Sequence, residues 1–154
     1  MKLEKWALVA EIISSFAIVV TLIVLLVEVR GNTAAVQAST YQDVATSITT
    51  MLNHRVTDPD VARIWIAGNG GEQLGPLDEH RYDTLVTLNM RQFENAYYQY
   101  QIGGIEESQW QPIENIISGL MRTTGHRLWW PTVRLNYSVD FRDLVDSLVD
   151  TETE

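Results

Sequence analysis

Residues 6–27 read WALVAEIISSFAIVVTLIVLLV, an apolar run interrupted only by Glu11, Ser14, Ser15 and Thr21. As an α-helix this stretch spans about 33 Å, enough to cross the hydrocarbon core of a bilayer with little tilt. Lys5 and Trp6 stand at one end, where interfacial anchors belong, and Glu28 and Arg30 mark the other. A cleaved signal peptide is the competing reading, with Val36 and Ala38 as a small-residue pair. The run is too long for a signal core, however, and Glu28 and Arg30 interrupt the approach to that pair. The segment is therefore expected to be a retained transmembrane helix over about 6–27, with residues 1–30 as the membrane anchor.

Most of the polar residues in the run fall on one side. Ala7, Glu11, Ser14, Ile18, Thr21, Leu25 and Glu28 follow a 4-3-4-3-4-3 spacing, which keeps them on one face when helices cross at a small left-handed angle. Phe16, Val19, Val20, Ile23, Val24 and Val27 occupy the opposite side and suit lipid. The first set is thus expected to be a packing seam. Glu11 lies about 7 Å inside Trp6, where an isolated carboxylate is costly. Three roles stay open for it: a polar contact to a partner helix, a proton or ion site, or a carboxylate that snorkels to the interface.

The helical period continues beyond Arg30. Ala34, Ala38, Tyr41, Ala45, Ile48 and Leu52 repeat at 4-3-4-3-4, predicting a helix to about Asn53 that prolongs the span, with or without a bend at Gly31-Asn32-Thr33. Thr57-Asp58-Pro59 is a helix start, and Asn69-Gly70-Gly71 to Gly75-Pro76 a loop. A long helix to about Gln101 follows, with Tyr82, Val86, Phe93, Ala96, Tyr97 and Tyr100 inward. Further helices are predicted over about 106–122, carrying Trp110, Ile113, Ile117 and Leu120 inward, over HRLWWPTV after a break at Gly125, and after Ser138, where Phe141, Leu144, Val145 and Leu148 form the apolar face. Thr151–Glu154 is a polar tail.

Composition narrows the chemistry. The 154 residues carry a formal charge of −9 and no cysteine, which removes thiolate catalysis, disulfides and Cys-ligated metals. From Gly31 onward eight Arg face seventeen Asp and Glu, a balance that repels phosphate backbones and argues against nucleic acid as a partner. His54, His80 and His126 fall on three different predicted elements with no ligand spacing between them, so surface or helix-end positions are expected. Gly68-Asn69-Gly70-Gly71 is glycine-rich but lacks the Gly-Lys-Ser/Thr of a phosphate loop and reads as a turn. Glu94 and Asn95 lie off the aromatic face and are placed to bridge to arginines such as Arg91, Arg63 or Arg127. Trp129-Trp130-Pro131 is unusual in a short helix. Two adjacent indoles do not fit easily on one buried face, so core with partial exposure is expected, the alternative being that one of them, like Trp6, reaches a membrane interface or a neighbouring subunit.

One resemblance adds to this. AEIISSFAIVVTLIVLLVEVRGNTAAVQASTYQ, with Glu11 early in the span, Arg30-Gly31-Asn32-Thr33 after it, Ala38-Ser39-Thr40-Tyr41-Gln42, and downstream Phe93-Glu94-Asn95-Ala96-Tyr97-Tyr98-Gln99, resembles a widespread group of small bacterial single-pass membrane proteins. That group carries no established activity. The resemblance implies a bacterial inner-membrane location. Relatives have more basic residues after the span, which implies a cytoplasmic domain. Here Lys2 and Lys5 instead favour a cytoplasmic N-terminus, and the two indications disagree.

The expected fold is all-α: an N-terminal transmembrane helix continuing into, or joined to, a soluble acidic bundle of about five helices over 31–150. No nucleophile–base pair can be argued from spacing, so the chain is expected not to be an enzyme and to need no cofactor or metal. Its expected partners are the lipid bilayer and either further copies of itself, as a scaffold assembled through the seam, or the other subunits of a respiratory, photosynthetic or transport complex. A ligand sensor or an enzyme would need an enclosed polar pocket.

Overall fold

The structure is a computed structural model that describes residues 2–150, with side chains for Trp6, Ala10, Glu11 and residues 13–149. The expected tail Thr151–Glu154 and the side chain of the seam residue Ala7 lie outside the described residues. The described residues form six α-helices: α1 (Lys2–Thr57), α2 (Pro59–Gly70), α3 (Pro76–Gln101), α4 (Glu107–Met121), α5 (Thr124–Val133) and α6 (Val139–Asp150), with a 3-10 turn at Arg134–Asn136 before the last. No strand occurs among the described residues. The chain divides into two compact units, Met1–Ala38 and Ser39–Glu154.

In the first unit, α1 is long and apolar enough to cross a membrane, and its described side chains up to Val36 are exposed. Gly31-Asn32-Thr33 does not break it. A single helical glycine costs only about 1 kcal/mol, and the Thr33 hydroxyl, which could compete with the helix, instead donates to the Val29 carbonyl at 2.9 Å.

The second unit is a bundle around α3. Asp58 caps α2 as its sequence suggests: one carboxylate oxygen accepts from the Asp60 and Val61 N–H groups at 2.9 and 3.3 Å, with Pro59 in the first turn. α2 runs two residues further than expected and stops at Gly71, whose φ of 76° needs a glycine. Helix α3 packs on α2 and α4, while α5 packs on α2 and α4, and α6 on α4. Its buried side chains, Tyr82, Val86, Asn89, Met90, Phe93 and Ala96, follow a helical stripe. Trp110, Ile113 and Ile117 of α4 and Phe141 and Val145 of α6 complete the core. Aromatic rings lock this end: Tyr100 stacks on Trp110 at 5.5 Å and 11°, and Tyr97 meets both Trp110 and Phe141. Tyr97 and Tyr100, expected inside, are half-buried.

Three expectations are corrected. The part of α1 in this unit turns only some of the stripe read from its sequence inward: Ile48 packs on the core, but Tyr41 and Leu52 are exposed, and Val44 and Met51, outside the stripe, are buried and packed on the core respectively. Gly125 does not break a helix. It lies inside α5, buried, where an added Cβ would stand 2.1 Å from the Gly68 carbonyl oxygen, so it is the close approach of α5 to α2 that demands glycine. Trp129 and Trp130 are both buried, at 7% and 3% exposure. Adjacent helical residues point about 100° apart, and α5 has neighbours on both sides. Trp130 donates its indole N–H to Asp146 of α6 at 2.9 Å, and Trp129 lies on the α2–α3 side beside Leu128 and Gly125.

Candidate functional site

The polar groups of the apolar run lie mostly on the seam of α1, with Ser15 and the Trp6 indole beside it. The hydroxyls of Ser14, Ser15 and Thr21 each donate to the carbonyl four residues back, Ala10, Glu11 and Ala17, at 2.8, 2.8 and 2.9 Å. That arrangement satisfies a hydroxyl within its own helix and leaves it no proton for a neighbour. Glu11 differs. Its carboxylate is exposed and takes part in no hydrogen bond or ion pair among the described residues, and the Trp6 indole, 74% exposed, is equally uncommitted. Ile18, Leu25 and Glu28 are exposed as well, as is the opposite face of Phe16, Val20, Ile23 and Val27, so exposure alone does not separate the two faces.

In the bundle, the three histidines stay apart. His54 and His80 are exposed, whereas His126 is fully buried at 0% exposure, a position its sequence context did not suggest. Its ring lies edge-on to Trp65 and Tyr82, with centroids at 5.5 and 6.4 Å. Thr123 donates its hydroxyl proton to the Leu120 carbonyl at 2.8 Å, so its oxygen faces His126 Nδ1, 2.9 Å away, with lone pairs. This assigns the ring proton to Nδ1 and leaves Nε2 as a bare acceptor, buried and unpartnered. Burial, aided by the nearby Arg55 charge, pushes the imidazole down to about 4. Arg55 itself lies over the Trp65 ring at 3.6 Å.

The Glu94 bridge to arginine is present and does more than expected. One oxygen accepts from Arg91 at 2.6 Å and the other from the Ser138 N–H at 2.7 Å, at the start of α6. Arg91 also donates to the Asn136 carbonyl and covers the Tyr137 ring at 4.2 Å. Partial burial pushes the Glu94 carboxyl up, but the bonds from Ser138 and Arg91 outweigh it and hold the group below the usual carboxylate range. Arg63 pairs with Asp78 at 2.9 Å instead.

Two of the clefts on the bundle have polar residues from several helices. A cleft of about 520 Å³ between α2, α3 and α5 has Glu72, Glu79 and Asp83 around Tyr82 and Trp129. Burial pushes the Asp83 carboxyl up, Glu79 adds to this, and His80 opposes it. None of its polar side chains is both buried and unpaired. The second, about 350 Å³, lies between α1, α2 and α3 and includes Asn89, a residue the sequence reading passed over. Its signal was there to see: Asn89 stands three residues after Val86 and four before Phe93, a polar residue in an apolar stripe. Among the described residues, no group of three or more His, Asp and Glu side chains is placed to hold a metal. The chain matches no protein-family model, no curated protein sequence and no solved structure.

Proposed function

We propose that this protein is a membrane-anchored scaffold: α1 crosses the bilayer over about residues 6–27, and copies of the helix associate through the seam Ala7, Glu11, Ser14, Ile18, Thr21, Leu25 and Glu28. The observation that carries this reading is the uncommitted carboxylate of Glu11 in an apolar helix whose neighbouring hydroxyls are already spent on their own backbone. In hydrocarbon such a group needs a donor, and none of the described residues of its own chain supplies one. The Trp6 indole N–H of an adjacent copy is available. The small Ala and Ser positions on the same face let two backbones approach closely. The resemblance to small bacterial single-pass proteins supports an inner-membrane location, with the bundle as the part that meets the aqueous phase.

The test is disulfide crosslinking of single-cysteine variants in bilayers, a clean background because the chain has no cysteine of its own. Positions 14 and 21 are expected to link more efficiently than 20 and 27, and the reverse order would overturn the seam. Glu11→Ala is expected to weaken assembly, while Glu11→Gln largely preserves it, since an amide keeps the geometry and such intramembrane bonds contribute about 1–2 kcal/mol or less. If the native particle holds one copy beside unrelated chains, the protein is an accessory subunit. Ion flux in liposomes that Glu11→Gln abolishes, with assembly intact, would make Glu11 a conducting group.

A further inference from the structure

The second cleft of the bundle has the properties of a small-molecule site, independent of how α1 assembles. Asn89 is 1% exposed, lines the groove, and its Nδ2 group has no hydrogen-bond partner. A buried amide donor left unpaired costs about 1–3 kcal/mol, so its persistence beside a groove, which the unpaired His126 Nε2 does not line, calls for an explanation. On the facing wall, Ser47 and Thr50 of α1 add a second observation. Thr33, Thr49 and Thr57 of the same helix tie their hydroxyls to carbonyls four residues back. The Ser47 and Thr50 hydroxyls make no hydrogen bond among the described residues, and both residues line the groove. Asn89, Ser47 and Thr50 thus border one space together with Gln92 and His54, and its remaining walls are apolar, Met51, Leu85 and Leu88 among them.

The lining also selects the charge of the occupant. No Asp, Glu, Lys or Arg side chain contributes to it, and its one titratable group, His54, is exposed. An ionised ligand would give up water here without gaining a counter-charge. A hydrocarbon would leave Asn89 unpaired. An uncharged molecule with an apolar body and a carbonyl oxygen meets every condition: the oxygen accepts from Asn89 Nδ2, with Ser47 and Thr50 at hand, and the body lies on Met51 and Leu85. The volume, about 350 Å³, falls at the small end of the range of about 300–1,000 Å³ for ligand pockets. We propose that the groove between α1 and α3 binds small, neutral, largely apolar carbonyl compounds through the Asn89 amide.

Three probes of one shape test this on the full chain in lipid nanodiscs: acetophenone (neutral ketone), ethylbenzene (no acceptor) and benzoate (charged). The readout is saturation of the Met51 methyl NMR signal. For each probe the apparent Kd in Asn89→Leu is divided by that in the parent chain, which cancels partition into the bilayer. Acetophenone is expected to weaken about threefold to tenfold, the equivalent of one net hydrogen bond, ethylbenzene to be unaffected or tighter, and benzoate to bind the parent more weakly than acetophenone. The double variant Ser47→Ala with Thr50→Val, at the groove wall outside the buried core, is expected to act in the same direction and serves should Asn89→Leu fail to fold. Equal weakening of acetophenone and ethylbenzene, tightest binding by benzoate, or no saturable shift with any probe would overturn the assignment. So would a Met51 signal that moves on dilution without ligand, the mark of a second copy covering the groove.

Discussion

The buried histidine makes the stability of the bundle depend on pH in a calculable way. In the folded chain His126 titrates at about 4, against 6.5 in an exposed chain. Between these values the unfolded state holds a proton that the folded state does not, so stability rises with pH across that window. The contribution is fully present above about pH 7 and is lost as pH falls toward 4. A gap of about 2.5 units at 1.36 kcal/mol each gives about 3 kcal/mol in total, of which about 2 kcal/mol is gone at pH 5. Two-state unfolding in denaturant, followed by the bundle's tryptophans in detergent at pH 5.0–7.5, measures it. The control is His126→Asn, which cannot titrate and keeps a donor near Thr123. Carboxylates titrate in both proteins below pH 5, so the comparison is made above that. The parent is expected to lose about 2 kcal/mol more than the variant between pH 7.5 and 5. Parallel pH profiles would refute the reasoning, because they would mean that His126 reaches water or a counter-charge in the folded state.

Other substitutions probe the packing and the polar staple. Gly125→Ala would set a Cβ 2.1 Å from the Gly68 carbonyl oxygen and 2.3 Å from the Tyr82 hydroxyl, and is expected to cost about 1–3 kcal/mol as overpacking. Gly119→Ala meets nothing within 4 Å and is expected to stabilise α4 by up to about 1 kcal/mol; thermal unfolding of the two variants should move in opposite directions. Glu94→Ala removes the bonds that join α3 to the start of α6. A loss of about 1.5–3 kcal/mol is expected, with hydrogen exchange rising first at Ser138 and along α6, and an unchanged exchange pattern would mean that the staple is dispensable.

Much of this architecture was legible in the chain itself. The all-helical class, the apolar helix at residues 6–27, the Asp58-Pro59 helix start and the stripe of Tyr82, Val86, Phe93 and Ala96 all follow from residue spacing and local backbone preference. Such signals lie within one or two turns and require no knowledge of neighbours. Where the reading slipped, a contact between helices decided. Gly125 looked like a breaker because glycine favours turns, yet α5 needs it for lack of a Cβ against α2. The inward side of α1 keeps Ile48 but takes Val44 and Met51 in place of Tyr41 and Leu52, because the helices packed around it select the face and α1 offers more than one weakly apolar stripe. Trp129 and Trp130 are both inside because α5 has neighbours on two sides, which no single-helix projection can express. His126 and Asn89 show the same division most sharply. Sequence alone determines that an imidazole and an amide stand at those positions. Burial by distant segments decides that one ring gives up its proton readily and that one amide faces a groove without a partner, since desolvation depends on everything packed around a group.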